Sequence, residues 1–124
     1  MNLSKSFLVI GALYLLVGMS FGMYMGAMQE FELAPLHAHI NLVGFTLMTL
    51  FGIVYRVIPG LADTGLSKAH FWLYQIGAFL MLVSLFALLT EVAPGATLGP
   101  IMSLFEAMLV LSIVAFAINL WQRA

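Results

Sequence analysis

Four uninterrupted apolar runs, 7–28, 36–57, 69–89 and 99–120, take up most of a chain of 124 residues. About 20 apolar residues in a helix cross the hydrocarbon layer of a bilayer, so each run is long enough to span it. Charges and helix breakers cluster in the gaps: Gln29, Glu30 and Glu32 with Pro35; Pro59 and Gly60 through Asp63 and Gly65; Glu91 with Pro94, Gly95 and Pro100. Hydrocarbon offers no water to an unpaired peptide group, so only helices and closed barrels cross it. Runs of this length, without alternation of period two, are not barrel strands. The expected fold is all-α, with residues 1–124 forming one transmembrane domain. Its architecture is an integral membrane four-helix bundle in up-down-up-down order. The first run is too long for the core of a signal peptide and lacks a small-residue cleavage site, so it reads as a permanent helix.

Composition narrows the function. The chain is 64% hydrophobic and 7% charged, with a formal net charge of -1, whereas soluble domains carry about a quarter of their residues charged. No basic excess exists to neutralise a phosphate backbone, which excludes nucleic acid and leaves membrane lipid as the surrounding partner. The absence of cysteine removes disulfides, thiolate nucleophiles and Cys-ligated zinc or iron–sulfur centres. The basic residues fall at the amino terminus (Lys5), the second loop (Arg56, Lys68) and the carboxyl terminus (Arg123). By the positive-inside rule that side faces the cytoplasm of a bacterial inner membrane, with both termini inside and Glu30, Glu32 and Glu91 outside. Trp72 and Trp121 fall at the same cytoplasmic boundary.

Polar groups within the runs need partners, because leaving one unpaired in hydrocarbon costs several kcal/mol. On helix two, at about 100° per residue, His37, Asn41, Gly44, Met48, Gly52 and Tyr55 share one face. His39 lies on nearly the opposite face, with Thr46, Thr49 and Arg56. Two imidazoles on opposite faces of a regular helix cannot reach one metal ion, and Pro35 favours a regular first turn. His37 and His39, with Asn41 one turn on from His37, therefore point to cofactor ligation at two separate positions. Helix one carries Gly18, Gly22 and Gly26 at four-residue spacing, a groove of bare backbone for another helix to enter. His70 begins helix three on the cytoplasmic side, where it reads as an interfacial histidine. Glu106 lies about 10 Å inside helix four at 1.5 Å per residue; it is a candidate for proton or cation handling, or a protonated group bonded to another helix. Met19, Met23, Met25, Met28, Met102 and Met108 fall in the outer half. Together with His37, His39, Glu30 and Glu32 they make a copper or zinc binder or transporter the alternative reading.

The segment Pro35-Leu36-His37-Ala38-His39-Ile40-Asn41-Leu42-Val43-Gly44, with Tyr55-Arg56-Val57-Ile58-Pro59, resembles the haem-copper oxidase superfamily. The likeness is to the catalytic subunit of cbb3-type oxidases and nitric oxide reductases, and most of all to its small four-helix stand-alone members. It covers about a fifth of the chain. In that superfamily twelve helices form three arcs of four, and one helix carries a His-x-His pair whose rings ligate different haems. The resemblance implies a homotrimer of this four-helix chain, with His37 of one protomer and His39 of the next holding one haem b. The implied function is cytochrome b-like electron transfer or redox sensing with a redox partner. A binuclear oxidase or nitric oxide reductase centre is not implied, because the outer side has no further histidine to hold copper.

Overall fold

The computed structural model describes residues 1–124. It contains four long helices and no strand: α1 (Leu3–Met28), α2 (Ala34–Val57), α3 (Gly65–Leu89) and α4 (Gly95–Arg123). All four are long and apolar enough to cross a membrane, which makes the chain an integral membrane protein. Each helix contains its apolar run and extends it by up to four residues at an end; in α1 and α3 polar caps add turns that hydropathy does not register. The Asn2 side chain accepts from the Lys5 amide at 3.0 Å to start α1, and the Thr64 hydroxyl accepts from the Ser67 amide at 3.0 Å to start α3. α1 stops where Gln29 turns left-handed, with φ 54°, and its side-chain amide donates to the Gly26 carbonyl at 2.7 Å. Gly60, with φ 78°, turns the chain out of α2 into a short 3₁₀ turn over Leu61–Asp63.

The first turns of α2 are regular and have Pro35 at their start, as its fixed φ favours. From Ile40 to Thr46 the helix then widens to a π-helix. There the Thr46 hydroxyl donates to the Asn41 carbonyl five residues back, at 3.2 Å. Such segments relax the regular ladder and re-aim the side chains around them.

The bundle consists of two hairpins, α1 with α2 and α3 with α4. In the membrane-spanning windows 39% of α3 is buried but only 11% of α4, so α3 is the central helix and α4 the peripheral one. One core lies toward the basic end and gathers Phe7, Met48, Phe51, Tyr55, Phe71 and Tyr74, with Phe116 of α4 against them. A second core lies toward the acidic end and joins Met25, Leu36, Ile40, Met81, Leu82 and Leu85. Large side chains such as Leu16, Ile53, Phe79 and Val110 are exposed around the outside, where lipid is their solvent.

The basic end is closed by hydrogen bonds between helices. The Ser4 hydroxyl donates to the Gly52 carbonyl at 2.8 Å, and Arg56 Nε donates to the Ser4 hydroxyl at 3.2 Å. The buried Asn119 amide donates to the Leu61 carbonyl at 2.9 Å and accepts from the Thr64 hydroxyl at 3.0 Å. His70, expected at the interface, is instead fully buried at 0% exposure. Its Nδ1 is hydrogen-bonded to the Tyr55 hydroxyl at 2.8 Å. Its ring lies 4.5 Å from Phe51 and 4.7 Å from Phe116, centroid to centroid. The aromatic packing accounts for the difference: a ring surrounded by Phe7, Phe51 and Phe116 contributes its area to the core and keeps one polar partner. Tyr55→Phe removes that partner and is expected to lower stability by about 1–3 kcal/mol. The double variant Tyr55→Phe/His70→Phe, which removes both polar groups, should lose less than Tyr55→Phe alone when unfolding is followed in detergent micelles.

Candidate functional site

The groove on α1 receives α2. A Cβ added to Gly22 would lie 2.8 Å from His37 Cε1, and one added to Gly18 would overlap the Asn41 side chain, 2.9 Å from its Cγ. Lower down the arrangement reverses: a Cβ on Gly44 would meet the Tyr14 ring at 2.6 Å, and one on Gly52 would meet Leu8 at 2.7 Å. Each helix thus provides bare backbone where the other provides a side chain, as close helix packing in membranes requires. The expected face of His37, Asn41, Gly44, Met48 and Gly52 is the one that packs on α1, with Tyr55 buried at its inner end. Gly26 lies beyond the contact, with nothing within 4 Å of its added Cβ.

His37 is half-buried in this seam, and its Nδ1 lies 2.7 Å from the Gly18 carbonyl oxygen. His39 is exposed, on a different side of α2, and its Nδ1 lies 2.6 Å from the Pro35 carbonyl oxygen. A carbonyl oxygen only accepts, so in both rings Nδ1 carries the proton and donates it. In the neutral form of each ring Nε2 is then the lone pair. This is the arrangement by which proteins orient metal-ligating imidazoles: one ring nitrogen anchored to a backbone carbonyl, the other turned to the metal.

The two lone pairs have different surroundings. His39 Nε2 has no hydrogen-bond partner in its own chain and its ring is exposed. His37 Nε2 faces the Asn41 amide nitrogen at 3.5 Å, the outer limit of a hydrogen bond and hence a weak hold. Asn41 Oδ1 is buried without a partner, so the Asn41 amide is held on its nitrogen side alone. The Asn41 side chain touches only one of the two histidines and acts as a neighbour of His37.

The other candidates lie apart from this pair. Glu30 and Glu32 are exposed on the turn between α1 and α2, at the mouth of a groove of about 680 Å³ walled by Leu16, Phe21, Tyr24 and Phe86. Met19, Met23 and Met28 are exposed, whereas Met25 is buried in the outer core. No three His, Asp or Glu side chains of the chain stand close enough to hold a metal ion. Glu106 is exposed on α4. Sequence reasoning missed the cluster of Tyr55, His70 and Asn119. The available signal was three polar residues at the same end of three apolar helices.

Comparison of the chain with family models, with curated proteins and with solved structures finds no match.

Gly22→Ala should push the His37 ring off the Gly18 carbonyl, and Gly18→Ala should expel the Asn41 side chain. Each is expected to cost about 1–3 kcal/mol by overpacking. Gly26→Ala, in open space, should change stability by no more than about 0.5 kcal/mol. Thermal unfolding of the three variants in micelles makes the comparison.

Proposed function

We propose that the chain is a haem b-binding membrane protein, cytochrome b-like, serving electron transfer or redox sensing. It works as a homo-oligomer, a trimer, in which His37 and His39 of neighbouring copies hold the haem across subunit contacts. The observation that carries this reading is the orientation of His39: its Nδ1–H is anchored to the Pro35 carbonyl and its exposed Nε2 is left free. One protomer would not supply both histidines to one haem, because His37 is turned into the α1–α2 seam and His39 away from it. The donor set fits the group directly at His39, whose Nε2 is open, whereas His37 Nε2 lies in the seam 3.5 Å from the Asn41 amide nitrogen and reaches a haem only when its ring turns out of that seam. A haem held between two imidazoles supplies a one-electron iron couple whose potential is tuned by those ligands and by burial. The protein's part is to fix the rings, exclude water with the surrounding apolar side chains, and place the site toward the acidic end of the bundle. The likeness of 35–44 and 55–59 to the haem-copper oxidase superfamily supports the same reading. With Lys5, Arg56, Lys68 and Arg123 at the opposite end, the site lies near the outer face of a bacterial inner membrane.

An absorption spectrum of the purified chain, oxidised and then dithionite-reduced, tests the proposal. A Soret band that shifts on reduction and a sharp α-band are expected from the wild type, both abolished in His39→Ala and in His37→Ala. Colourless, iron-free protein from cells supplied with haem would overturn it.

A further inference from the structure

α4 contains the most apolar membrane-length stretch, with a mean hydropathy of 2.4 over 18 residues, and that stretch is the least buried of the four. Glu106 stands seven residues into the apolar run that begins at Gly99, about 10 Å along the axis at 1.5 Å per residue. That is well inside a hydrocarbon layer about 30 Å thick. Its side chain is exposed on the protomer, so in an isolated chain it would face lipid. Membrane-embedded carboxyls instead face protein or water and are paired. The chain itself supplies no counter-charge at this depth. Lys5, Arg56, Lys68 and Arg123 belong to the basic end, and Glu30, Glu32 and Glu91 to the turns at the other.

A second copy of the chain supplies a partner by symmetry. In a cyclic assembly whose axis runs along the membrane normal, every residue has the same depth in each copy, so Glu106 can meet Glu106. A carboxyl group can both donate and accept, so two adjacent carboxyls can hydrogen-bond to one another and satisfy both. The surface around Glu106 permits such an approach. Ser103, one turn outward, is exposed, Gly99 has nothing within 4 Å of its added Cβ, and Val110, one turn inward, is 62% exposed.

We propose that copies of this chain associate through the α4 face bearing Gly99, Ser103, Glu106 and Val110, with the Glu106 carboxyls of neighbouring copies hydrogen-bonded to one another at the symmetry axis. The contact does not involve His37 or His39 and stands whether or not a haem is bound.

Mass measurement of the purified full chain in lipid nanodiscs and in micelles reads the association directly, independently of colour. The wild type should be oligomeric. Glu106→Gln, whose carboxamides also donate and accept, should keep the assembly. Glu106→Leu should weaken it by about tenfold, as losing one interhelical polar contact in a membrane does. Because the chain has no cysteine, Ser103→Cys and Met19→Cys each give a single thiol, both at exposed sites. On oxidation in membranes Ser103→Cys should form a disulfide-linked dimer, since only residues near the axis meet their own copies. Met19→Cys on α1 should not. A monomeric wild type, a Glu106→Leu chain that associates as strongly as wild type, or a Ser103→Cys chain that fails to cross-link would overturn the proposal. A colourless oligomer would overturn the haem reading and leave this one standing.

Discussion

The approach of α1 and α2 at Gly18 and Gly22 is the contact on which the candidate site depends. Glycine at these two positions leaves room for a His37 ring and an Asn41 amide that any Cβ would displace. It also brings the Gly18 carbonyl to 2.7 Å from His37 Nδ1. One piece of bare backbone thus provides both the space and the acceptor. The helix surface that would be a weak point in water, with no side chains to bury, is in hydrocarbon the place where polar side chains of a neighbouring helix are accommodated.

The same demand for pairing divides the bundle into two ends with different chemistry. At the basic end several polar groups pair across helices, with Ser4 on Gly52, Arg56 on Ser4, Tyr55 on His70, and Asn119 between Leu61 and Thr64, while His70 Nε2 is buried without a partner. These bonds tie all four helices together at that end, and farther along Gly77 of α3 packs closely against Phe105, Met108 and Leu109 of α4. Toward the acidic end the pairing is also incomplete. Asn41 Oδ1 lacks a partner, and His39 offers a bare Nε2 to the outside of the protomer. Deeper in the membrane, Glu106 presents a carboxyl to the outside of α4.

Much of this was legible in the residues alone. The spans were, because hydrocarbon imposes length and apolarity on anything that crosses it. Their ends were less so, since Asn2 and Thr64 cap polar turns that hydropathy does not count. The shared face of His37, Asn41, Gly44, Met48 and Gly52 followed from helical spacing, and so did the opposition of His37 and His39. The partner of the glycine groove did not follow, because spacing on one helix does not say which helix enters it. The π segment over Ile40–Thr46 was invisible to a regular wheel. His70 was misplaced for a related reason: its position near the start of a run suggests an interface, while its burial is decided by Phe7, Phe51 and Phe116 from three other helices. The depth of Glu106 could be counted from sequence, but its direction could not.

In their neutral form His37 and His39 each carry their proton on Nδ1, bonded to a backbone carbonyl, and leave Nε2 as the lone pair. Nitrogen-15 magnetic resonance of the histidine-labelled chain in bilayers under reducing conditions reads this directly. The chain contains three histidines, and His70→Phe removes the third signal set. The account predicts protonated Nδ1 and unprotonated Nε2 in both remaining rings, each Nδ1 hydrogen-bonded to a carbonyl. A proton found on Nε2 of either ring in the neutral form would contradict it.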